Sequence, residues 1–307
     1  MSQIRCGNDR FKGMHHPALW TLAMVLLCAG SVTAQDRGQV VESLELESEW
    51  LGESVPYSIY FPPGYLESNR RYPVLYLLHG FSDDETGWVQ FGRTAEIADH
   101  SYAANESVPM IIVMPDAGVS WYINNYDGTL RYEDFVVEEL IPHVDETYRT
   151  RPEREFRAVG GLSMGGYGSL ILALNNPTLF SSVGPMSAGV FTDEEIIAMP
   201  QQRWDYLLGT PFREGLEGED RLTAHYREHS VLDRVREMPE AQLASLRFRI
   251  DCGDDDFLIR GNMALYEALL DREVDAEFRV REGAHSWSYW REGLPDLLSF
   301  VSESFGR

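Results

Sequence analysis

Among 307 residues there is a single lysine, Lys12. Arginine supplies every other formal positive charge, and acidic side chains outnumber basic ones by 49 to 26. A formal net charge of −23 argues against nucleic acid and anionic membrane as partners, because like charges repel. Cysteine is nearly as scarce. Of three, Cys6 and Cys28 fall in the first 34 residues, so the rest of the chain holds only Cys252 and no intrachain disulfide can form there. No apolar run reaches the roughly 20 residues needed to span a bilayer. Internal repeats and low-complexity blocks are absent too. What is present is 44% hydrophobic and 12% aromatic residues, ample for one large α/β domain.

The first 34 residues read as an export signal. Arg5, Arg10 and Lys12 form a basic leader. An apolar stretch from Ala18 to Ala29 follows, broken only by Thr21, and Val32-Thr33-Ala34 places small side chains at a cleavable junction before Gln35. The stretch is too short for a membrane anchor; the alternative is an N-terminal amphipathic helix. A lipoprotein signal would need a small residue before Cys28, where Leu27 stands. If Met14 is the true start, the segment still reads as a signal with a weaker leader. The segment carries three basic and one acidic side chain, so residues 35–307 carry about −25. That remainder reads as one domain, exported to the periplasm or the medium.

Short apolar runs mark strands at Tyr57–Phe61, Pro73–Leu78, Met110–Met114, Phe156–Gly160, Val183–Ser187, Leu246–Ile250 and Ala276–Val280. Helical spacing marks Tyr132–Tyr148, with a kink or boundary at Pro142, then Gly165–Asn175, Met263–Leu270 and Leu294–Phe305. Strands and helices alternate, as in a mostly parallel central sheet with helices on both faces. Residues 191–243 are charged, lean to helix and carry no core strand. They read as a small helical cap inserted between two strands; ordinary crossover helices are the alternative.

Gly161-Leu162-Ser163-Met164-Gly165 has glycine two positions either side of a serine. A strand that turns abruptly into a helix strains the serine backbone and exposes its hydroxyl, and flanking side chains would clash there. The pentapeptide alone is weak, since roughly one chain in ten of this length holds it by chance. Its context, a strand before and a helix after, makes Ser163 the candidate nucleophile rather than an idle serine in a glycine-rich turn. Gly166 further lets the helix pack closely on the sheet.

A serine hydroxyl needs an imidazole to take its proton, and in this arrangement the order along the chain is serine, acid, histidine. His225 and His229 lie in the presumed cap. His285 follows the last strand, in Glu282-Gly283-Ala284-His285-Ser286-Trp287, where the base belongs. Asp251-Cys252-Gly253-Asp254-Asp255-Asp256 supplies the acid that fixes the imidazole tautomer. Spacing alone does not choose among Asp254, Asp255 and Asp256. An aspartate cluster can also bind calcium, but no regular calcium-loop spacing appears. The developing oxyanion needs two backbone N–H donors. Met164, after the serine, offers one; Phe81, after Leu77-Leu78-His79-Gly80, offers the other. His79, set before a tight glycine turn, reads as a structural hydrogen-bonding group rather than a second base.

These segments together resemble the esterase D family, the group that includes feruloyl esterases, tributyrin-type esterases, S-formylglutathione hydrolases and the antigen 85 mycolyltransferases. The likeness runs over roughly residues 54–300. It is carried by Tyr72-Pro73-Val74-Leu75-Tyr76-Leu77-Leu78-His79-Gly80 with Trp88, by Val113-Met114-Pro115-Asp116-Ala117-Gly118 with Ser120-Trp121-Tyr122, and by Glu139-Leu140-Ile141-Pro142 with Asp145 and Tyr148-Arg149-Thr150. It continues in Gly160-Gly161-Leu162-Ser163-Met164-Gly165-Gly166 and in Gly283-Ala284-His285-Ser286-Trp287 with Tyr289-Trp290. The resemblance implies an α/β-hydrolase fold, places the acid on Asp256, and supports Phe81 and Met164 as oxyanion donors. Ala117 departs from a glycine found in many relatives. The segment 191–243 matches least, which weakens inference about substrate.

The expected function is an exported serine carboxylic-ester hydrolase acting through an acyl-enzyme, with no metal or organic cofactor. Small acyl, acetyl or feruloyl esters, including sugar esters, are the expected substrates. Trp121, Tyr122 and Trp287 are candidate substrate-binding aromatics, with core packing as their alternative role. Two rival readings are an acyltransferase that uses the same triad to pass the acyl group to a sugar or alcohol, and a non-catalytic binding protein on a hydrolase scaffold.

Overall fold

The computed structural model describes residues 37–306. The segment read as an export signal lies outside the described residues. Eight strands form one sheet: β1 (Gln39–Glu47), β2 (Ser54–Phe61), β3 (Val74–Leu78), β4 (Ile111–Pro115), β5 (Arg157–Leu162), β6 (Ser182–Met186), β7 (Arg247–Gly253) and β8 (Ala276–Arg281). Their order is β1-β2-β4-β3-β5-β6-β7-β8. β1 and β2 run antiparallel, β2 meets β4 antiparallel, and β4-β3-β5-β6-β7-β8 are mutually parallel. This is an α/β-hydrolase fold.

Side-chain alternation along the strands builds two cores. In β3, Val74, Tyr76 and Leu78 enter one core, with Leu170, Leu172 and Leu174 of the helix Met164–Asn175. Leu75 and Leu77 enter the other, with Leu294, Leu297 and Leu298 of the helix Trp287–Ser304. Both faces are therefore covered, which explains why β3, β4, β5 and β6 are buried along their full length. Each such Leu or Val contributes roughly 1.5–3 kcal/mol on burial.

The helix Thr94–Ala103 was not foreseen, and three further elements differ from the sequence expectation. β1 was not foreseen because its apolar residues alternate with glutamates and serine on an exposed edge. Those charges, and a bulge between Val41 and Leu44, discourage edge-to-edge pairing. The closing helix begins at Trp287, seven residues before Leu294; Gly293 and Pro295 hid its first turns. Over residues 132–147 the helical run widens into a π segment, Phe135–Leu140, immediately before Pro142. The Ile141 N–H reaches back five residues to the Val136 carbonyl.

Between β6 and β7, residues 191–243 fold into the helices Asp193–Ala198, Gln201–Phe212, Ala224–Glu228, Val231–Glu237 and Glu240–Leu243. Buried Arg221 ties this region together, donating to the Ile196, Met199 and Leu216 carbonyls and to Gln201. Four of its five N–H donors are thus engaged, which lowers the cost of burying the group.

Candidate active site

β5 runs straight into Ser163, and the helix Met164–Asn175 leaves it. Ser163 has φ 55° and ψ −116°, a conformation costly for any residue with a side chain. Crowding on both sides dictates the glycines. A Cβ on Gly161 would lie 2.6 Å from the Leu78 carbonyl oxygen, and one on Gly165 would lie 2.4 Å from it. Gly166 packs against Met186 and Ala188 at the end of β6 in the same manner. The Ser163 N–H is held by the Met186 carbonyl at 2.9 Å.

The loop after β8 carries His285 to this turn. Its Nε2 lies 2.9 Å from Ser163 Oγ, and its Nδ1 lies 2.9 Å from Asp256 Oδ2 and 3.1 Å from Oδ1. With a carboxylate on Nδ1, the neutral ring carries its proton there, leaving the Nε2 lone pair facing the hydroxyl. Asp256 is buried and also accepts the Leu258 N–H at 2.9 Å. Burial alone would raise its pKa. Hydrogen bonds and charge from His285, the Leu258 amide and Ser187 outweigh that and hold the carboxyl below the usual range. The imidazole is packed by Trp290, edge-on at 4.9 Å, and by Phe257 at 4.7 Å. Trp290 Nε1–H donates in turn to Ser187 Oγ at 3.1 Å.

The neighbouring aspartates have other partners. Asp251 is buried against Arg281, Arg249 and the Tyr289 hydroxyl. Asp254 accepts the Gly283 N–H at 2.9 Å and so braces the histidine loop, while Asp255 is exposed. Cys252 lies beside the site, but burial pushes its thiol up and leaves it unreactive.

Gly80 brings the loop after β3 against the serine: a Cβ there would meet Ser163 Cβ at 3.5 Å. The next residue is Phe81. Met164 is the first residue of its helix, where an amide has no partner within the helix. His79 is buried and fully engaged. Its Nε2 accepts the Ala117 N–H at 2.8 Å, so its Nδ1–H donates to the Gly80 carbonyl at 2.8 Å.

The candidate substrate aromatics separate. Tyr122 is a correction to the sequence reading: it is 0% exposed, packs on Gly168, and donates to the His79 carbonyl at 3.1 Å. It supports the β3 loop and cannot reach a ligand. Trp121 is nearly buried, donates to the Leu207 carbonyl, and lines a cavity of about 20 Å³ with Gly189, Phe191 and Leu208. Trp287 is partly exposed and packs edge-on against Trp88. Two more aromatics border the site that sequence reasoning did not select. Phe257 is 57% exposed beside His285, with the Arg203 guanidinium 5.4 Å from its ring centre. Tyr206 is 69% exposed and edge-on to Phe81 at 5.2 Å. The one available signal was Phe257 directly following the candidate acid. Tyr206, in the segment 191–243, had none.

The model of the esterase family, described as "Putative esterase", matches residues 48–301. An endo-1,4-beta-xylanase/feruloyl esterase of Xylanibacter ruminicola is 32% identical over 163 residues, covering 51% of this chain and 22% of that protein. An acetyl esterase of Caldicellulosiruptor saccharolyticus is 24% identical over 231 residues, covering 75% of this chain and 83% of that protein. Among solved structures, a ferulic acid esterase is 31% identical with a TM-score of 0.76, covering 88% of this chain and 99% of that one. No helix among the described residues is long and apolar enough to cross a membrane. The chain belongs to the esterase family, the serine carboxylic-ester hydrolases of the α/β-hydrolase fold.

Proposed function

We propose that this chain is an exported esterase that removes acetyl or hydroxycinnamoyl groups, feruloyl included, from sugar hydroxyls through an acyl-enzyme on Ser163. The observation that carries the reading is the His285 imidazole, which bridges Ser163 Oγ and the Asp256 carboxylate at 2.9 Å on each side. Such a relay gives the hydroxyl a base at its oxygen and gives the resulting imidazolium a counter-charge.

Ser163 Oγ attacks the ester carbonyl carbon while His285 Nε2 takes its proton. The carbonyl oxygen becomes an oxyanion between the amides of Phe81 and Met164. Collapse breaks the ester C–O bond, and the imidazolium returns the proton to the departing sugar oxygen. Water then attacks the acyl-serine by the same route, with His285 as base, releasing the acid and the free serine. Asp256 acts through the imidazole, as a positioning residue that stabilises its protonated form.

Size supports a placement for the acyl group. The recess lined by Trp121 and Gly189 is about 20 Å³, far below the roughly 150 Å³ of a cavity known to hold benzene. An acetyl methyl can point toward that recess. An aromatic acyl group would lie in the open instead, near the exposed Tyr206 and Phe257, with Arg203 beside the Phe257 ring. The names of the feruloyl and acetyl esterase relatives favour these two acyl classes. The basic leader, apolar stretch and small-residue junction within residues 1–34 support export.

The test is release of acid from methyl ferulate, p-nitrophenyl acetate and acetylated xylan by purified protein, with product partition measured when sugar acceptors are added. Hydrolysis of at least one oxygen ester that disappears in Ser163→Ala is expected. Absence of turnover on all three, or acyl transfer that outcompetes water at modest acceptor concentration, would overturn the reading.

A further inference from the structure

Away from Ser163, the cap holds an arrangement that ester hydrolysis does not use. Among the described residues, three metal-ligating side chains converge in the group His225, Glu228 and His229, one ligand atom from each lying within 4.8 Å of the others. The spacing i, i+3, i+4 along the helix Ala224–Glu228 and its cap residue His229 puts all three on one face. The imidazole centres are 4.3 Å apart.

Both rings are oriented by backbone carbonyls, as metal-binding imidazoles commonly are. His229 Nδ1 lies 2.9 Å from the His225 carbonyl oxygen, leaving Nε2 as its ligand atom. His225 is held by the Pro211 carbonyl, while its Nε2 is buried without any hydrogen-bond partner. A buried polar atom left unpaired costs about 1–3 kcal/mol and calls for an explanation. The Phe212 ring stands 5.7 Å from His225 and 6.5 Å from His229, an apolar surface beside the pair. Arg227, next in sequence, is drawn away by Asp193 and Asp233.

We propose that His225 Nε2, His229 Nε2 and the Glu228 carboxylate form a structural site for one zinc-class divalent ion, with water completing four-coordination. Two imidazoles and one carboxylate suit zinc, whereas calcium and magnesium take all-oxygen sets. The ion would fasten the helix Ala224–Glu228 to its own C-terminal turn. From there the Tyr167 hydroxyl, which donates to the His229 carbonyl at 2.7 Å, carries the constraint to the helix behind Ser163.

Tag-free full-length protein, stripped with chelator and then freed of it, is titrated with zinc chloride by calorimetry, and its thermal unfolding is followed with and without one equivalent of zinc. One zinc per chain and a raised Tm are expected, with no Tm response to calcium. Glu228→Gln, an exposed change, should fold normally and weaken zinc by at least about 10–100-fold, the scale lost even when an outer partner is removed. His225→Ala and His229→Ala should lose the site, whereas Ser163→Ala should retain it, separating this inference from the esterase reading. Zinc binding equal in wild type and all three ligand variants would mean surface association and overturn the site. No stoichiometric binding to folded wild type would do the same.

Discussion

A serine at φ 55° and ψ −116° costs of order 1–3 kcal/mol of backbone energy, and only its surroundings keep it there. Removing its hydroxyl should leave that conformation alone. Ser163→Ala is therefore expected to reduce kcat by roughly 10⁴–10⁶-fold with an unchanged Tm. Asp256→Asn replaces the carboxylate that fixes the imidazole tautomer, so kcat should drop by about 10⁴-fold and the pH–rate profile should change shape. Asp254→Asn should cost much less, because Asp254 holds the Gly283 amide and not the ring. The acid limb of stability has a definite sign. The Asp256 carboxyl is held below its ordinary value in the folded protein. Its ionised form thus stabilises the fold above the unfolded pKa of about 3.9, and that contribution fades as pH falls through the lower folded value. Unfolding followed from pH 6 to pH 2 should show a component lost in Asp256→Asn; identical slopes in both proteins would contradict it. At this scale the serine and histidine motifs were legible, because strain and chain order leave marks in sequence. The choice among three adjacent aspartates was not, since it depends on which carboxylate the turn aims at the ring. Tyr122 looked available beside Trp121 and lies wholly inside. Exposure of a single aromatic is set by packing from elements distant in sequence.

At the scale of the element, the turn at Ser163 works because two glycines let the helix Met164–Asn175 press against the end of β3. Gly165→Ala would force a Cβ to 2.4 Å from one backbone oxygen and 2.5 Å from the next, those of Leu78 and His79. Neither oxygen belongs to a flexible side chain, so a loss of about 1–3 kcal/mol is expected, together with a large fall in kcat as Met164 shifts. Chemical denaturation and steady-state kinetics on the same variant check both. The central parallel strands were readable because burial on both faces leaves continuous apolar runs. β1 was unreadable for the opposite reason: it is an edge strand whose glutamates face solvent. The helix Trp287–Ser304 was foreseen only from Leu294, since a proline and a glycine inside its first turns resemble a boundary. That error hid how directly the helix follows His285, and hence how Trp290 comes to pack against the imidazole. In the turn after β7, Phe257→Ala is expected to raise KM for methyl ferulate several-fold while leaving p-nitrophenyl acetate nearly unaffected. Equal effects on both esters would remove Phe257 from the acyl groove.

For the whole molecule, charge is the dominant global fact. About −25 on residues 35–307, with positive charge from arginine alone, implies repulsion among surface carboxylates. Salt screens exposed charges over about 10 Å at 0.1 M, so raising sodium chloride from 10 mM to 0.5 M should raise Tm. Relief worth 1 kcal/mol corresponds to roughly 2–4 °C for a domain of this size. A flat response would show that the arginines already neutralise the surface locally. The fold class was legible from the alternation of strands and helices, and the substrate was not. The proposed acyl groove is bordered by Phe257 and by Tyr206 and Arg203 of the segment 191–243, whose composition carries no periodic signature. The proposed chemistry nevertheless rests on one hydroxyl being activated by one imidazole. A fluorophosphonate probe reads that directly, by intact mass and peptide mapping of the folded protein. One adduct per chain, on Ser163, abolished in Ser163→Ala and strongly slowed in His285→Ala, is the expected result; folded wild type that stays unlabelled, or that labels as fast without His285, would contradict the account.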